Sequence, residues 1–216
     1  MIELIIDGRP IRAKKGTSVL QACLASGVYI PHLCSFEGDP DPDASCRLCF
    51  VEIEGYPGPV TSCTVAATSG LQVRTDGPDT RHLQRAALRM LLSNHPVDCK
   101  HCQANRACAL QHMARFLQIG LKSAPLPAIP RPHEVDRSHP CIDIYTHRCV
   151  LCGRCTKVCR NSLGHSRFTM TGRGIETTVR HYPSDDDADI DCSACGSCVA
   201  ICPVGALQPR NTLKNQ

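Results

Sequence analysis

Short apolar segments separated by turn residues dominate the first third of the chain. Four of them are strand candidates: Glu3–Ile6, Pro10–Ala13, Cys49–Glu54 and Leu71–Thr75. Asp7-Gly8 is a tight-turn pair, so the first two strands are expected to form a hairpin. Ser18 begins a capping-box pattern, and Gly27 ends the helix that follows it. The pattern predicts a small α+β domain over residues 1–77.

Helical periodicity replaces this alternation in the next part of the chain. Thr80–Ser93 places leucine, alanine and methionine on one face and arginine on the other, which predicts an amphipathic helix. A second helix is expected from about Arg106 to Gln118, so residues 78–122 are predicted to form a small helical domain. The stretch that begins at Ser123 is rich in proline, and residues 123–137 are therefore predicted to be an extended connector.

The last third of the chain contains two short cysteine clusters in a domain predicted over residues 138–208. The segment between the clusters is expected to hold a hairpin around Gly172-Arg173-Gly174 and an acidic loop at Asp185-Asp186-Asp187. Residues 209–216 are polar and are predicted to form a frayed tail.

Composition changes this picture of small apolar modules. The 216 residues include 17 cysteines but no Trp, four Phe and four Tyr. Because large core-forming side chains are few, the small modules need stabilising cross-links such as disulfides or bound metals. Met1–Asp7 has no secretory-signal pattern, and no apolar run approaches the roughly 18 residues of a membrane span. A cytoplasmic location without membrane insertion is therefore expected. In that reducing compartment, cysteine-rich patterns are typical of metal sites.

The two C-terminal clusters repeat the spacing C-x2-C-x2-C-x3-C, which is the pattern of bacterial two-cluster ferredoxins. Three thiolates from one tight loop bind one [4Fe-4S] cluster, and the fourth cysteine points to the neighbouring cluster. The predicted ligand sets are Cys149, Cys152, Cys155 and Cys202, and Cys159, Cys192, Cys195 and Cys198. A pair of zinc sites is the alternative, although zinc normally uses separated C-x2-C pairs. Arg160 stands where a proline is usual, which affects the local turn more than the ligation.

Four cysteines in the N-terminal domain predict a two-iron cluster, which needs two ligands per iron. They are Cys34, Cys46, Cys49 and Cys63. The gap between the first two is longer than the x4 of plant-type ferredoxins, so zinc is an alternative when this motif is taken alone.

The middle of the chain offers only three closely spaced cysteines, Cys99, Cys102 and Cys108, while a cubane cluster needs four ligands. His95 precedes them at the end of a helix and is the predicted fourth ligand. His101 and His112 are the other histidines nearby. A neutral imidazole makes the cluster less negative, which raises its reduction potential relative to an all-cysteine cluster.

The remaining features argue against other classes of function. Cys23 and Cys141 are left over and are predicted to pack in apolar surroundings. Gly172-Arg173-Gly174 lacks the third glycine of a dinucleotide motif, and there is no P-loop, so neither a nucleotide or flavin site nor a catalytic residue is predicted. Basic residues are dispersed and aromatic residues scarce, which argues against nucleic-acid partners; a zinc-stabilised binding module is the remote alternative.

The net charge also changes when the cysteines are deprotonated. The formal charge is +4, and four thiolate-ligated clusters contribute about −7, which brings the assembled protein to about −3. The surplus of Lys and Arg is therefore interpreted as compensation for buried anionic clusters.

In their order, the four cysteine motifs resemble the N-terminal module of the large iron–sulfur subunit of respiratory complex I. The same module occurs in NAD-reducing hydrogenases, NAD-dependent formate dehydrogenases and multisubunit iron-only hydrogenases. Local sequence agrees at Ile30-Pro31-His32-Leu33-Cys34, at Cys46-Arg47-Leu48-Cys49 with Val51-Glu52, and at Ser138-His139-Pro140. The resemblance extends to about Leu207.

This resemblance implies a β-grasp fold for the first domain and a wire of one [2Fe-2S] and three [4Fe-4S] clusters. Larger relatives continue into a catalytic domain, so the chain is expected to be a stand-alone form, similar to the small diaphorase subunit of bidirectional NAD(P)-linked nickel–iron hydrogenases. Its expected role is that of a non-catalytic electron-transfer subunit. The implied partners are a diaphorase large subunit that binds FMN and NAD(P) and the hydrogenase small and large subunits. A formate dehydrogenase catalytic subunit is the alternative.

Overall fold

The computed structural model describes residues 1–122, 126–127, 131–183 and 192–210. These residues form two compact units: Met1–Met90 with Met113–Gly120, and Leu91–His112 with Leu121–Gln216. The predicted acidic loop at Asp185-Asp186-Asp187, part of the predicted connector and most of the predicted tail lie outside the described residues. The predicted domain boundaries stay predictions.

The first unit is built on a five-stranded mixed sheet. Its strands are β1 (Ile2–Ile6), β2 (Arg9–Ala13), β3 (Phe50–Ile53), β4 (Val60–Thr61) and β5 (Gln72–Arg74). They lie in the order β2-β1-β5-β3-β4, with β1 and β5 parallel and the other pairs antiparallel. Helix α1 (Val19–Ala25) packs its apolar residues into the same core as the sheet. This arrangement agrees with the expected β-grasp fold.

Local sequence signals account for the first hairpin and for α1. Asp7 and Gly8 both have positive φ, of 50° and 76°, which matches the twist of a tight two-residue hairpin. The Ser18 hydroxyl accepts a hydrogen bond from the Gln21 N–H at 3.2 Å, and the Gln21 side chain accepts one from the Ser18 N–H at 3.1 Å. The predicted hairpin and capping box are confirmed.

Asp7 also fixes how β1 and β5 meet. Its carboxylate accepts hydrogen bonds from the Thr75 N–H at 2.8 Å and from the Thr75 hydroxyl at 2.7 Å. The Asp7 N–H in turn donates to the Val73 carbonyl at 2.9 Å. Because successive strand residues face opposite sides of a sheet, these bonds keep Val73 on the core face.

Two helices follow the first sheet in the chain, α2 (Pro78–Ser93) and α3 (Ala109–Phe116). Helix α2 begins two residues before the predicted start. Helix α3 begins three residues after the predicted start because Arg106 has a φ of 72°, which is outside the helical region. The Arg106 N–H instead donates to the side chain of Gln111 at 2.8 Å.

A buried side chain on α2 joins this helix to the sheet. Gln84 is fully buried, and its amide donates to the Phe50 carbonyl at 2.9 Å. Arg81 donates to the Gln84 amide oxygen at 3.0 Å, so both ends of the amide are used. Replacing Gln84 with leucine leaves the Phe50 carbonyl and the Arg81 guanidinium without these partners.

We expect Gln84→Leu to lower the free energy of unfolding by about 1–3 kcal/mol, the usual range for orphaning a buried polar group. Denaturant unfolding should show a lower midpoint with an unchanged m-value. Gln72→Leu is the matched control, because Gln72 is an exposed glutamine of the same unit, and its effect should stay within about 0.5 kcal/mol. Equal effects of the two substitutions would contradict the role given to Gln84.

The second unit contains short elements around the cysteines. Strands β6 (Val135–Asp136), β7 (Ile142–Tyr145) and β10 (Leu207–Pro209) form an antiparallel sheet in the order β10-β7-β6. Strands β8 (Phe168–Thr171) and β9 (Thr178–His181) form the predicted hairpin. The helices are α4 (Arg154–Leu163), α5 (Cys192–Cys195) and α6 (Ser197–Ala200).

The start of the predicted frayed tail is ordered. Pro209 pairs with Ile142 in the sheet, and the Arg210 N–H donates to the Cys141 carbonyl at 2.8 Å. The Arg210 guanidinium also lies 2.7 Å from the carboxylate of Asp143. The prediction of a frayed tail is therefore wrong at residues 209 and 210, because their partners lie far back in the sequence.

The cores of the two units differ in kind. Fifteen buried residues fill the first, among them Leu4, Ile6, Leu20 and Ile30. The apolar cluster around the C-terminal cysteines of the second unit has eight buried residues among those described, of which three are cysteines. They are Ile142, Ile144, Cys155, Cys159, Phe168, Val179, Cys198 and Leu207. Sulfur therefore makes up a large share of this cluster.

Candidate metal centres

All 17 cysteines lie in the described part of the chain, where none of them is paired in a disulfide. Across the described ranges, no three His, Cys, Asp or Glu side chains converge as the ligands of a single metal ion. In a cubane each cysteine binds its own iron, so its ligands stand further apart than those of one ion.

In the N-terminal unit the four predicted ligands lie in two pairs. The sulfur atoms of Cys34 and Cys46 are 3.5 Å apart. Two sulfurs bound to one tetrahedral metal ion at about 2.3 Å lie about 3.8 Å apart, so this spacing fits a shared iron. The pairing of Cys34 with Cys46 matches the need of a two-iron cluster for two ligands on each iron.

Hydrogen bonds between the sulfur atoms shift the pKa values of the thiols in both pairs. The hydrogen bond from Cys46 lowers the pKa of Cys34 to about 5, and that from Cys63 lowers the pKa of Cys49 to about 7. The pKa values of Cys46 and Cys63 are raised by the same hydrogen bonds and by burial. Each pair therefore holds one acidic thiol, and iron binding would displace the remaining protons.

The backbone around these sulfurs is held in place. The N–H and the hydroxyl of Ser62 both donate to the Cys49 carbonyl, at 2.8 and 2.7 Å. Ala44 and Arg47 have positive φ, of 51° and 52°, which turns the loop sharply on either side of Cys46. Non-glycine residues adopt this conformation at an energetic cost, so the fold must stabilise the loop shape.

In the second unit, the three middle cysteines line one cavity of about 90 Å³ together with His95. Its lining also includes His133, His147 and Arg148. Burial lowers the pKa of His95 to about 4, so its imidazole is neutral at physiological pH. Its Nδ1 atom is buried and has no hydrogen-bond partner among the described residues. A neutral imidazole with an orphaned nitrogen beside three thiols fits a metal ligand.

The other two histidines near this motif are placed differently. His101 is exposed, and its Nδ1 lies 2.8 Å from the carboxylate of Asp98. His112 lies on α3, where its N–H donates to the Cys108 carbonyl at 3.1 Å. The motif spacing gives no sign of His147, which is 8 % exposed and stacks on His133 with ring centres 4.6 Å apart. The sequence around Cys99, Cys102 and Cys108 cannot reveal a histidine that reaches their cavity from a distant part of the chain.

The first C-terminal ligand set also converges. Cys149, Cys152, Cys155 and Cys202 line one pocket. Burial, followed by the charge of the neighbouring thiols, raises the pKa of Cys155 and raises that of Cys152 to about 12. Two backbone donors approach the outer sulfurs: Leu151 N–H lies 3.4 Å from Cys149 Sγ, and Ala206 N–H lies 3.3 Å from Cys202 Sγ. Buried thiols with such donors fit binding as thiolates to iron.

The second C-terminal set combines α4, α5 and α6. Burial and the nearby charge of Cys159 raise the pKa of Cys198 to about 12. Burial also raises the pKa of Cys192, although Arg167 opposes this shift. Cys195 is exposed, and hydrogen bonding from Ser197 lowers its pKa. Of the four predicted ligands, Cys159 and Cys198 are buried, Cys192 is half-buried and Cys195 lies at the surface.

The two leftover cysteines pack as predicted. Cys23 is fully buried in the core of the first unit, and Cys141 packs against the apolar cluster of the second. Burial, with a smaller contribution from Asp7, raises the pKa of Cys23 from 9.0 to about 12.

This shift predicts an alkaline loss of stability in the first unit. The unfolded chain gives up the Cys23 proton near pH 9 and the folded chain near pH 12, so unfolding becomes easier as the pH rises between these values. We expect a loss of about 2 kcal/mol between pH 9 and 10.5, at about 1.4 kcal/mol per pH unit. Cys23→Ala should remove this slope in denaturant unfolding followed by circular dichroism. Val19→Ala truncates the same core but keeps the Cys23 thiol, so this variant should retain the loss of stability with rising pH. Identical pH slopes in the two variants would show that Cys23 is not the cause.

Three family models match successive parts of the chain. Residues 1–78 match the 2Fe-2S iron–sulfur cluster binding domain, and residues 84–121 match the NADH-ubiquinone oxidoreductase-G iron–sulfur binding region. Residues 139–208 match the ferredoxin-like domain of NADH-quinone oxidoreductase subunit 3. This chain is an iron–sulfur module of the complex I type. The expected fold class, with its three kinds of iron–sulfur region, is confirmed.

The module is similar over nearly its whole length to parts of oxidoreductase subunits. It is 33 % identical to NADPH-Fe(3+) oxidoreductase subunit alpha of Geobacter sulfurreducens, over 96 % of the module and 24 % of that protein. It is 32 % identical to the mitochondrial NADH-ubiquinone oxidoreductase 78 kDa subunit of Neurospora crassa, over 95 % of the module and 27 % of that protein. The module thus spans about a quarter of the length of these curated relatives.

A solved structure matches the module over nearly the full length of both chains. It is a crystal structure of NAD+-reducing [NiFe]-hydrogenase in the H2-reduced state, with a TM-score of 0.84 and 29 % identity. The match covers all of the module and 90 % of the hydrogenase chain. In the described part of the module, no helix has both the length and the apolar character needed to cross a membrane.

Proposed function

We propose that this chain is an electron-transfer subunit. In this role it carries electrons between a partner that binds FMN and NAD(P) and a hydrogenase module, in reversible H2 oxidation coupled to NAD(P) reduction. The observation that supports the proposal is that His95 lines one cavity with Cys99, Cys102 and Cys108, while Cys202 shares a pocket with the three cysteines of the first C-terminal run. The clusters supply one-electron transfer when bound, and the protein's task is to hold them and set their potentials.

The ligand sets proposed for the clusters are those predicted from the sequence. The [2Fe-2S] cluster takes Cys34, Cys46, Cys49 and Cys63. The three [4Fe-4S] clusters take His95, Cys99, Cys102 and Cys108; Cys149, Cys152, Cys155 and Cys202; and Cys159, Cys192, Cys195 and Cys198. Support comes from the sulfur pairing in the first unit, the orphaned Nδ1 of His95 and the pocket that Cys202 shares with the first run.

The hydrogenase assignment rests on structural likeness. The chain matches 90 % of a chain of an NAD+-reducing [NiFe]-hydrogenase, with a TM-score of 0.84. We therefore favour the hydrogenase small and large subunits and a diaphorase large subunit as partners. A formate dehydrogenase catalytic subunit is the alternative partner for the same electron-transfer role.

Anaerobic purification of the tagged chain from its native host tests this proposal. The isolated chain should contain about 14 iron atoms and 14 sulfides, as one two-iron and three cubane clusters require, and should give low-temperature EPR signals after reduction. The co-purifying proteins should include a nickel–iron subunit. A molybdopterin subunit in its place would favour the formate dehydrogenase alternative. A colourless, zinc-loaded protein without a reducible centre would end the electron-transfer proposal.

A further inference from the structure

A buried arginine beside the β8–β9 hairpin contacts the second C-terminal ligand set, which comprises Cys159, Cys192, Cys195 and Cys198. Arg167 immediately precedes β8 and is only 3 % exposed. Its guanidinium donates to the sulfur of Cys192 at 3.0 Å, and its backbone N–H lies 3.4 Å from the sulfur of Cys159. One residue therefore donates to two of the four thiols proposed to hold this cluster.

The hairpin fixes the position of Arg167. Its carbonyl accepts a hydrogen bond from the Tyr182 N–H at 2.8 Å, which extends the pairing of β8 with β9 by one more bond. The next residue, Phe168, is 2 % exposed and stacks nearly parallel on the buried His139, with ring centres 5.5 Å apart. The backbone of Arg167 is fixed by strand pairing and by the packing of Phe168. Its side chain therefore needs little reorganisation to keep its contact with the sulfur of Cys192.

The other C-terminal ligand set has a different environment. The sulfurs of Cys149 and Cys202 face neutral backbone N–H donors, from Leu151 and Ala206. The guanidinium of Arg131 approaches the same loop but donates to the carbonyl oxygen of Cys149, at 2.9 Å, rather than to its sulfur. The two sites therefore share a cysteine spacing, but the guanidinium that approaches Cys149 binds its carbonyl oxygen, whereas the guanidinium of Arg167 binds the sulfur of Cys192.

This difference has a redox consequence. Reduction adds one electron, and hence one negative charge, to a cluster and its thiolates. A cationic donor at a thiolate is attracted more strongly to the reduced state, and charge-assisted hydrogen bonds are among the strongest in proteins. Hydrogen bonds to sulfur and net charge are established determinants of cluster potential. Arginine stays protonated at any physiological pH, so its contribution is constant.

We propose that Arg167 is a positioning residue that raises the reduction potential of the cluster held by Cys159, Cys192, Cys195 and Cys198. This inference rests on the proposed function, because it requires a cluster at these cysteines. It assigns the segment between the two cysteine runs a role beyond linking them: the β8–β9 hairpin carries a cation that donates directly to a ligand sulfur.

The expected effect follows from the strength of such a bond. A hydrogen bond to a charged group changes an equilibrium constant by about tenfold or more. We expect Arg167→Met to weaken reduction of this one cluster about tenfold, and a tenfold change in a one-electron equilibrium corresponds to about 59 mV, here towards lower potential. Arg167→Lys keeps the charge on a shorter donor, so the midpoint should lie between those of Arg167→Met and the native chain.

The experiment is a potentiometric titration of the iron-loaded full chain, followed by low-temperature EPR. Cys195→Ser identifies the signal of this cluster, because it changes one proposed ligand at an exposed position. Arg173→Gln is the matched control, since it removes an exposed charge from the tip of the same hairpin and should move no midpoint appreciably. Iron and sulfide are measured in every variant, so that a shifted potential is separated from a lost cluster.

Each outcome bears on the inference. A lowered midpoint for the Cys195-linked signal alone, partly restored in Arg167→Lys, supports it. Unmoved midpoints in an iron-replete Arg167→Met chain overturn it and leave the proposed function standing. Equal shifts of several signals also overturn it, because they indicate a general structural role. If Arg167→Met loses the cluster, the midpoint of Arg167→Gln decides, since this variant keeps a neutral donor and removes only the charge. Absence of clusters from the native chain would refute the proposed function itself.

Discussion

Replacing His95 with alanine is expected to lower the iron content from about 14 to about 10 atoms per chain, through the loss of one cubane cluster. The reason is the composition of its cavity, where the orphaned Nδ1 of His95 lies with the three thiols of the same sequence motif. Three cysteines leave one iron of a cubane without a protein ligand. Iron analysis and EPR of the reduced protein measure the effect, and the other cluster signals should keep their intensities.

His147 supplies the matched control for this experiment. Its ring is also buried, it lines the same cavity, and its Nδ1 likewise lacks a hydrogen-bond partner among the described residues. We expect His147→Ala to retain about 14 iron atoms, because His147 comes from the C-terminal cysteine motif. Loss of iron in His147→Ala, together with full retention in His95→Ala, would transfer the ligand role to His147.

Removal of iron by a chelator is expected to unfold the second unit and leave the sheet of the first unit folded. Three of the eight buried residues in the apolar cluster around its C-terminal cysteines are themselves cysteines, so the packing of this cluster depends on what those sulfurs bind. Binding of even one structural metal ion contributes about 10–16 kcal/mol in small metal-dependent domains, which matches or exceeds the whole stability of a typical domain. The first unit keeps 15 buried residues around a five-stranded sheet.

Hydrogen exchange monitored by mass spectrometry distinguishes the two units. After chelation, peptides from residues 139–183 and 192–210 should exchange at rates close to those of an unfolded chain, while peptides containing β1 and β5 should stay protected. Cys23→Ala is a useful companion, because it removes a buried cysteine that is not a proposed ligand and should leave the iron content unchanged. Protection that persists throughout the second unit after complete iron removal would show that its fold does not need the metal.

Local signals explain which parts of the fold could be predicted from the sequence. The Asp7-Gly8 turn and the Ser18 capping box depend on residues within four positions of each other, and both form as expected. The start of α3 was not predictable, because the loop between Cys102 and Cys108 holds Arg106 at positive φ. The pairing of Pro209 with Ile142 joins residues far apart in the chain, which no local pattern reveals.

The same distinction applies to the candidate centres. Cysteine spacing indicates which thiols belong together, because three of them come from one tight loop. Spacing carries no information about residues that reach a centre from another element. His147 and Arg167 are of this kind: one enters the cavity of the middle motif, and the other donates to a ligand sulfur from a hairpin.

The parallel pairing of β1 with β5 has a consequence for biosynthesis. Strand β5 ends at Arg74, so the N-terminal sheet closes only when this residue has left the ribosome, and all four cysteines of the first site lie between the two paired strands. Translation adds about 5–20 residues per second and folds N-terminal domains first. All ligands of the first site are therefore synthesised several seconds before Cys202 is made, so the N-terminal sheet can close while the last C-terminal ligand does not yet exist.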